Sequence, residues 1–244
     1  MRYKKKIVII IPARFSSTRF PGKPLAKILG KSMILRVWEK CIKVISKNFV
    51  YVATDDKRIA DHCQLHGINY LMTRKNCKTG TDRVIEVAKK IQSDLYLNVQ
   101  GDEPLINIKD IKKIIRLFFL YKKKKIINAM CRIKNKDEFF SFNVPKVVFD
   151  NNYNLIYMSR AAIPSNKQNQ FIRAFKQVCI YAFSRKHLLS ENIFNNKRNL
   201  EMIEDIEILR FIENSLPVKM VEVSSNSISV DTKKDLEKVI NILK

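Results

Sequence analysis

Between residues 7 and 99 the chain alternates short, wholly apolar runs with longer segments of helical period, and this alternation constrains the fold more than any other feature. Ile7–Ile11 is β-branched throughout and ends at Pro12. Met33–Ile45 carries apolar residues at 33, 34, 37, 38, 41, 42 and 45, which is a helical spacing. Phe49–Ala53 reads as a strand leading into Thr54-Asp55-Asp56, Arg58–His66 as a helix stopped by Gly67, and Asn69–Met72 as a strand. Thr81–Gln92 reads as a helix and Leu95–Val99 as a strand. Strands with no polar alternate have no face for water, so they belong in a parallel sheet covered on both sides. The order implies an α/β layered fold. Such sheets bind ligands beyond the carboxyl ends of their strands. The polar segments there are Arg14–Lys23, Thr54–Lys57, Thr73–Asp82 and Gln100–Pro104.

Beyond Asp110 the pattern is mixed. Ile111–Tyr121 has a helical pattern, and Lys146–Asp150 with Asn154–Ser159 reads as a hairpin around Asn151-Asn152. Ser165–Gln170 is a polar loop, Val178–Phe183 a strand and Arg185–Leu189 a short helix. Leu200–Asn214 reads as one helix, Val218–Val223 as a strand, Ser224–Ser229 as a polar turn and Asp235–Leu243 as a closing helix. Without a repeat or a low-complexity linker, residues 1–244 read as one continuous α/β body with an inserted β-rich lobe.

Composition excludes several classes. With 244 residues and 46% hydrophobic content the chain can bury a core, so disorder is not its main state. The longest apolar runs, Ile7–Ile11, Ile114–Tyr121 and Val178–Phe183, fall well short of the roughly 18–20 residues of a membrane span. The 47 Lys+Arg against 23 Asp+Glu give a net charge of +24. The lysines are spread along the chain beside abundant Asn and Ile, which reads as compositional drift rather than a nucleic-acid footprint. The densest runs, Lys4–Lys6 and Lys122–Lys125, lack the interleaved aromatics of a stacking surface. Cysteines at 41, 63, 77, 131 and 179 are odd in number, form no CxxC and have no zinc spacing with histidine, so reduced thiols are expected. The opening Met1–Lys6 leads into too short an apolar run for a secretory signal, and a cytoplasmic location is expected.

Pro12–Leu25 carries Arg14, Arg19 and Lys23, the hydroxyls of Ser16, Ser17 and Thr18, and Gly22 between Pro21 and Pro24. Cationic side chains with backbone N–H groups suit a triphosphate. Neither GxxxxGK[ST] nor GxGxxG is present. Gln100-Gly101-Asp102-Glu103-Pro104 places a carboxylate at a strand end beside that loop, which suits Mg²⁺. Asp231 follows another apolar run and reads either as the N-cap of the last helix or as a second metal carboxylate. In Lys78–Arg83, Thr81 or Asp82 reads as a helix cap with Gly80 supplying the turn. Glu201, Glu204 and Glu207 share an i, i+3, i+6 spacing and read as an acidic stripe on one helix. His62, His66 and His187 have no nucleophile or ligand spacing, and G-x-S-x-G is absent. Glycoside hydrolysis by two carboxylates stays open, but it leaves the basic loop without a role.

Ile11-Pro-Ala-Arg-Phe-Ser-Ser-Thr-Arg-Phe-Pro-Gly-Lys-Pro-Leu25, Val52-Ala-Thr-Asp55, Thr79-Gly-Thr-Asp-Arg83, Asn98-Val-Gln-Gly-Asp-Glu-Pro104 and Ser159-Arg160 occur together and in order. In these the chain resembles the 3-deoxy-manno-octulosonate (Kdo) cytidylyltransferases, the CMP-Kdo synthetases of outer-membrane polysaccharide synthesis. The match runs from about residue 7 to 240 and is most specific before residue 110. The resemblance implies a nucleotide-diphospho-sugar-transferase-like (Rossmann-like) fold: a mostly parallel sheet flanked by helices, with a β-rich dimerisation and sugar lobe. It divides one domain, 1–244, into a nucleotide half (1–110) and a sugar and dimerisation half (111–244). It implies a homodimer that joins CTP and Kdo into CMP-Kdo and pyrophosphate with Mg²⁺, for lipopolysaccharide or capsule.

By motif, the resemblance assigns Arg14, Ser17 and Lys23 to the triphosphate and Thr79 and Arg83 to the nucleotide side. Gln100 falls between nucleotide and sugar, and Asp102 and Asp231 on the metal. Arg160, Gln177, Tyr181 and Glu207 fall in the sugar-acid pocket, with Arg160 suited to the carboxylate. Departures cluster in the sugar half. Gln177 replaces the family's His, Cys179 its Gly and Ile208 its Gln, while Ser227-Ile228-Ser229 replaces a Gly-x-Gly and Ser141-Phe142-Asn143 an Asn-Pro-Asn. The alternative acceptors are an 8-amino Kdo or another 2-keto-3-deoxy sugar acid, and a different class of reading is a nucleotide-binding paralogue without turnover.

Overall fold

The computed structural model describes residues 6–17, 19–190, 193, 199–224 and 227–244. Thr18 of the basic loop, the lysines at 4 and 5, and residues 225–226 of the polar turn lie outside the described residues. The first half contains β1 (Ile7–Pro12), β2 (Lys27–Ile28), β3 (Lys31–Ser32), α1 (Met33–Cys41), β4 (Val50–Thr54), α2 (Lys57–Leu65), β5 (Asn69–Met72), α3 (Gly80–Lys90), β6 (Leu95–Val99) and α4 (Ile108–Leu120). The second contains β7 (Ile126–Arg132), α5 (Lys136–Phe140), β8 (Lys146–Phe149), β9 (Leu155–Ser159), β10 (Phe175–Phe183), α6 (Arg185–Leu188), α7 (Asn199–Glu204), α8 (Leu209–Glu213), β11 (Val218–Glu222) and α9 (Lys233–Leu243).

The main sheet runs β11-β7-β10-β6-β1-β4-β5, with β8 paired to β10 and β9 to β8. β1 pairs in parallel with β4 and β6, β4 with β5, and β7 with β11. β10 is antiparallel to both its sheet neighbours, β6 and β7. The expected mostly parallel sheet flanked by helices is therefore present. The period of two splits each central strand between two cores. Ile9, Ile11, Leu95, Leu97 and Val99 pack with α1 and α4 through Ile34, Val37, Ile111, Ile114 and Phe118. Val8, Ile10 and Tyr96 pack on the other face with Val84, Val87 and Ala88 of α3. A smaller cluster joins Phe20, Ile28 and Met33 to Val230 and Val239. It fixes the basic loop against the closing helix.

The structure departs from the sequence reading at several points. Ile126–Arg132 is a central strand that the sequence pattern did not reveal, because Asn128 interrupts its apolar run. The helix expected over Leu200–Asn214 is two helices separated at Asp205, which sits at φ 51° in the left-handed region. Asp tolerates that region through its short polar side chain. Glu207 therefore lies on neither helix, and the acidic stripe does not exist as one face. The N-cap of α9 is Thr232, reciprocated by Asp235, and not Asp231. Likewise Thr79 caps α3, with Asp82 returning the bond.

Arg210 is fully buried and joins the two helices to α3. It donates to Glu201, to Asp82 Oδ1 at 2.8 Å and to Thr79 Oγ1 at 2.8 Å. Removing one member of a buried ion pair strands the other charge. Arg210→Met is expected to lower the unfolding free energy by about 3–5 kcal/mol, measured by urea denaturation.

Candidate active site

The basic loop closes on itself directly after β1. Gly22 donates its N–H to the Phe15 carbonyl at 2.9 Å and adopts φ 71°. A Cβ there would also lie 3.1 Å from the Phe15 ring, so glycine fits both the turn and the contact. The turn aims Lys23 at the carboxyl end of β6. Its Nζ lies 2.7 Å from Asp102 Oδ2 and 3.2 Å from Asp231 Oδ1. Val230 donates its N–H to the Asp102 carbonyl at 2.9 Å, which brings the two carboxylates together. Arg19 adds contacts to Asp231 at 3.2 Å and to Asn143 at 3.1 Å. Burial opposes the charge on Lys23, but the carboxylates outweigh it and raise its pKa above the ordinary lysine value.

These groups line an open cleft of about 1190 Å³ at the carboxyl ends of β1 and β6. Every residue that the resemblance assigns to the site reaches it. Arg14, Ser17, Lys23, Asp102 and Asp231 lie on the loop side. Thr79, Arg83, Gln100 and Glu207 line the α3 side, and Arg160, Gln177 and Tyr181 the β10 side.

At the start of α3, Glu207 supplies an anion to unpaired backbone donors. It accepts from Gly80 N at 2.8 Å, Thr81 N at 2.7 Å and the Thr81 hydroxyl at 2.6 Å. A carboxylate is stable there because the first N–H groups of a helix have no internal partner. Gln100 Nε2 approaches the same carboxylate at 3.4 Å. Arg83 is buried against Asp55 at 3.0 Å and the Thr73 hydroxyl at 2.5 Å, so its guanidinium faces protein acceptors.

The β10 side holds groups that sequence reasoning did not single out. Arg160 lines the cleft, yet its guanidinium donates to the carbonyls of Phe142 at 2.9 Å and Asp205 at 2.9 Å, and to the Glu204 carbonyl at 2.5 Å. Lys146 is fully buried beside it and donates to the carbonyls of Ser141 and Arg160. Burial lowers its pKa to about 8, with Arg160 acting in the same direction. Glu103, next to Asp102, is buried and accepts from Cys179 N at 2.9 Å and from the Ser227 hydroxyl. Burial raises its pKa despite those bonds. A charged residue inside an apolar strand pattern, as at Lys146-Val147-Val148, was the available signal for Lys146.

Residues 8–225 match the family model described as Cytidylyltransferase. The chain is 40% identical to the 3-deoxy-manno-octulosonate cytidylyltransferase of Geobacter metallireducens, covering 98% of each chain. It is 34% identical to the mitochondrial 3-deoxy-manno-octulosonate cytidylyltransferase of Arabidopsis thaliana, covering 100% of this chain and 85% of that one. A solved CMP:2-keto-3-deoxy-manno-octonic acid synthetase complexed with CTP superposes with a TM-score of 0.88 at 34% identity, covering 98% of each chain. HddC from Yersinia pseudotuberculosis shares the fold at a TM-score of 0.71 and 12% identity.

Gly80, at the start of α3, is closely packed. A Cβ there would lie 2.7 Å from Gln100 Nε2 and 3.1 Å from Glu207 Oε1. The shortest of these is the end of a flexible side chain, while the Pro12 ring at 3.1 Å must give by a few tenths of an ångström, so the cleft wall shifts. Gly80→Ala is expected to lower kcat/KM by roughly 10-fold or more, as for a small misplacement of positioning groups, with Tm changed by only a few degrees in a thermal melt.

Proposed function

The chain belongs to the 3-deoxy-manno-octulosonate cytidylyltransferase family, and from that premise we propose that it transfers CMP from CTP to the anomeric hydroxyl of Kdo, releasing pyrophosphate. The observation that carries this reading is the convergence of Lys23 on Asp102 and Asp231 at the strand ends, inside a cleft also lined by Arg14 and Gln100. A cationic loop faces the triphosphate from one side. The amide, hydroxyl and guanidinium groups of the β10 side face a polyhydroxylated acid from the other.

In this reading the reaction is an in-line displacement, with the sugar hydroxyl attacking the α-phosphorus as pyrophosphate departs. The protein forms no covalent bond and acts by placement and charge. Lys23 and Arg14 hold phosphate oxygens. Its raised pKa keeps Lys23 cationic throughout the neutral range. Gln100 stands between the two substrates.

The carboxylates also fit Mg²⁺. Asp102 and Asp231 face one point, and that point holds the Lys23 ammonium, so the pair accommodates a shared cation. Two carboxylates are a usual protein share of a Mg²⁺ site, with phosphate oxygens and water completing it. When bound there, Mg²⁺ neutralises phosphate charge and lowers the pKa of a coordinated hydroxyl. The family resemblance further supports a homodimer, a cytoplasmic location and a product used in lipopolysaccharide or capsule. Among the described residues no helix is long and apolar enough to cross a membrane.

The test is pyrophosphate release from purified protein with CTP and Mg²⁺ across Kdo, 8-amino Kdo and a nonulosonic acid, with ATP, GTP and UTP as controls. Release with CTP and Kdo is the expected result. Release only with another acid changes the acceptor, and no release with CTP still bound favours a non-catalytic protein. Asp102→Asn is expected to reduce kcat by at least about 100-fold, as for loss of a group that stabilises transition-state charge, with Tm nearly unchanged. Unaltered turnover would remove Asp102 from the chemistry.

A further inference from the structure

Asn128 sits in the middle of β7, fully buried, opposite a break in the pairing of β10. Ala129 pairs with Val178 and Asn128 with Tyr181, so Cys179 and Ile180 form a bulge in β10. A bulge leaves backbone groups outside the regular ladder. Asn128 Nδ2 takes up two of them, donating to the carbonyls of Val178 at 3.1 Å and Ile180 at 3.0 Å. The carbonyl between them, Cys179, accepts from Gln100 N at 3.2 Å.

These contacts fix the polarity of a second amide. Carbonyl oxygens only accept, so the NH₂ end of Asn128 must face the bulge. Its Oδ1 then faces Gln177, and that oxygen also only accepts. Gln177 must therefore turn its NH₂ end inward, and Nε2 lies 3.0 Å from Asn128 Oδ1. An isolated glutamine can flip its amide, but here the orientation is imposed from the backbone outward. The atom left over is Gln177 Oε1, which has no hydrogen-bond partner among the described residues, on a side chain that lines the cleft.

We infer that Gln177 is an oriented acceptor that selects sugar acids carrying a hydroxyl or amino donor opposite it, and that buried Asn128 is the positioning residue that locks it. The inference rests on the reaction proposed above. It assigns a role to Asn128, which neither the motifs nor the reaction requires, and it defines what the glutamine at 177 recognises.

A double-mutant cycle over Asn128→Ala and Gln177→Ala tests it, with KM for Kdo and for CTP measured separately. Each single variant is expected to raise KM for Kdo about 5- to 10-fold, the worth of one neutral hydrogen bond. KM for CTP should stay within about twofold, and the double variant should be no worse than Gln177→Ala alone. Independent effects in the cycle, or an equal rise in KM for CTP, would make Asn128 merely structural and overturn the inference. Should Asn128→Ala fail to fold, Kdo analogues lacking single hydroxyl groups give the same answer with folded protein. One analogue should lose about 5- to 10-fold in kcat/KM with the natural protein and nothing with Gln177→Ala. Equal losses in both proteins for every analogue would overturn it. A natural protein that turns over no sugar acid refutes the proposed reaction and this inference together. Turnover with independent effects refutes the inference alone.

Discussion

Both faces of β1 and β6 are covered by helices, so charged side chains near them can only gather where the strands end. Lys23, Asp102 and Asp231 meet there, and nearly everything else in the cleft depends on how they are brought together. Val230 pairs with the Asp102 backbone, while Phe20, Ile28 and Met33 pack with Val230 and Val239. Apolar burial thus fixes the loop and the closing segment, and the ion pairs add direction rather than cohesion. Partly buried pairs of this kind carry a desolvation cost that their attraction offsets only with good geometry.

The nucleotide side was legible from the sequence because its signals are local. Ile7–Ile11 before Pro12 marks a buried strand, and the cluster Arg14, Lys23 and Gly22 marks the loop that follows. The sugar side was less legible because it is assembled from distant segments. Asn128 looks like an interruption in an apolar run until β10 is seen bulging beside it. The turn at Asp205 breaks a stretch of helical period, and beyond it Glu207 bonds the backbone donors of α3. Asp231 has the spacing of a cap, yet Thr232 takes that role and leaves the carboxylate free for Lys23. In each case a contact between residues about 50 to 200 positions apart overrode a sound local reading.

The cleft draws its lining both from the first 110 residues and from the rest of the chain. Glu207 completes α3, Cys179 and Ser227 both bond Glu103, and Asp231 meets Lys23. Neither half presents a finished site without the other. Gln100 links the two walls, because it contacts both Glu207 and the β10 bulge.

That arrangement bears on the residues where the chain departs from its family. A buried polar group left without a partner carries a desolvation cost. Here Gln177, Cys179 and Ser227 each have a partner, although Gln177 Oε1 has none among the described residues. Gln177 bonds Asn128, the Ser227 hydroxyl bonds Glu103, and Cys179 gives its N–H to the same carboxylate. Ile208 replaces an amide with an apolar side chain and is fully buried in the core under β10. The departures thus form a consistent local solution built on the second half's own residues. That consistency shows a cleft wall that is packed and bonded at these positions.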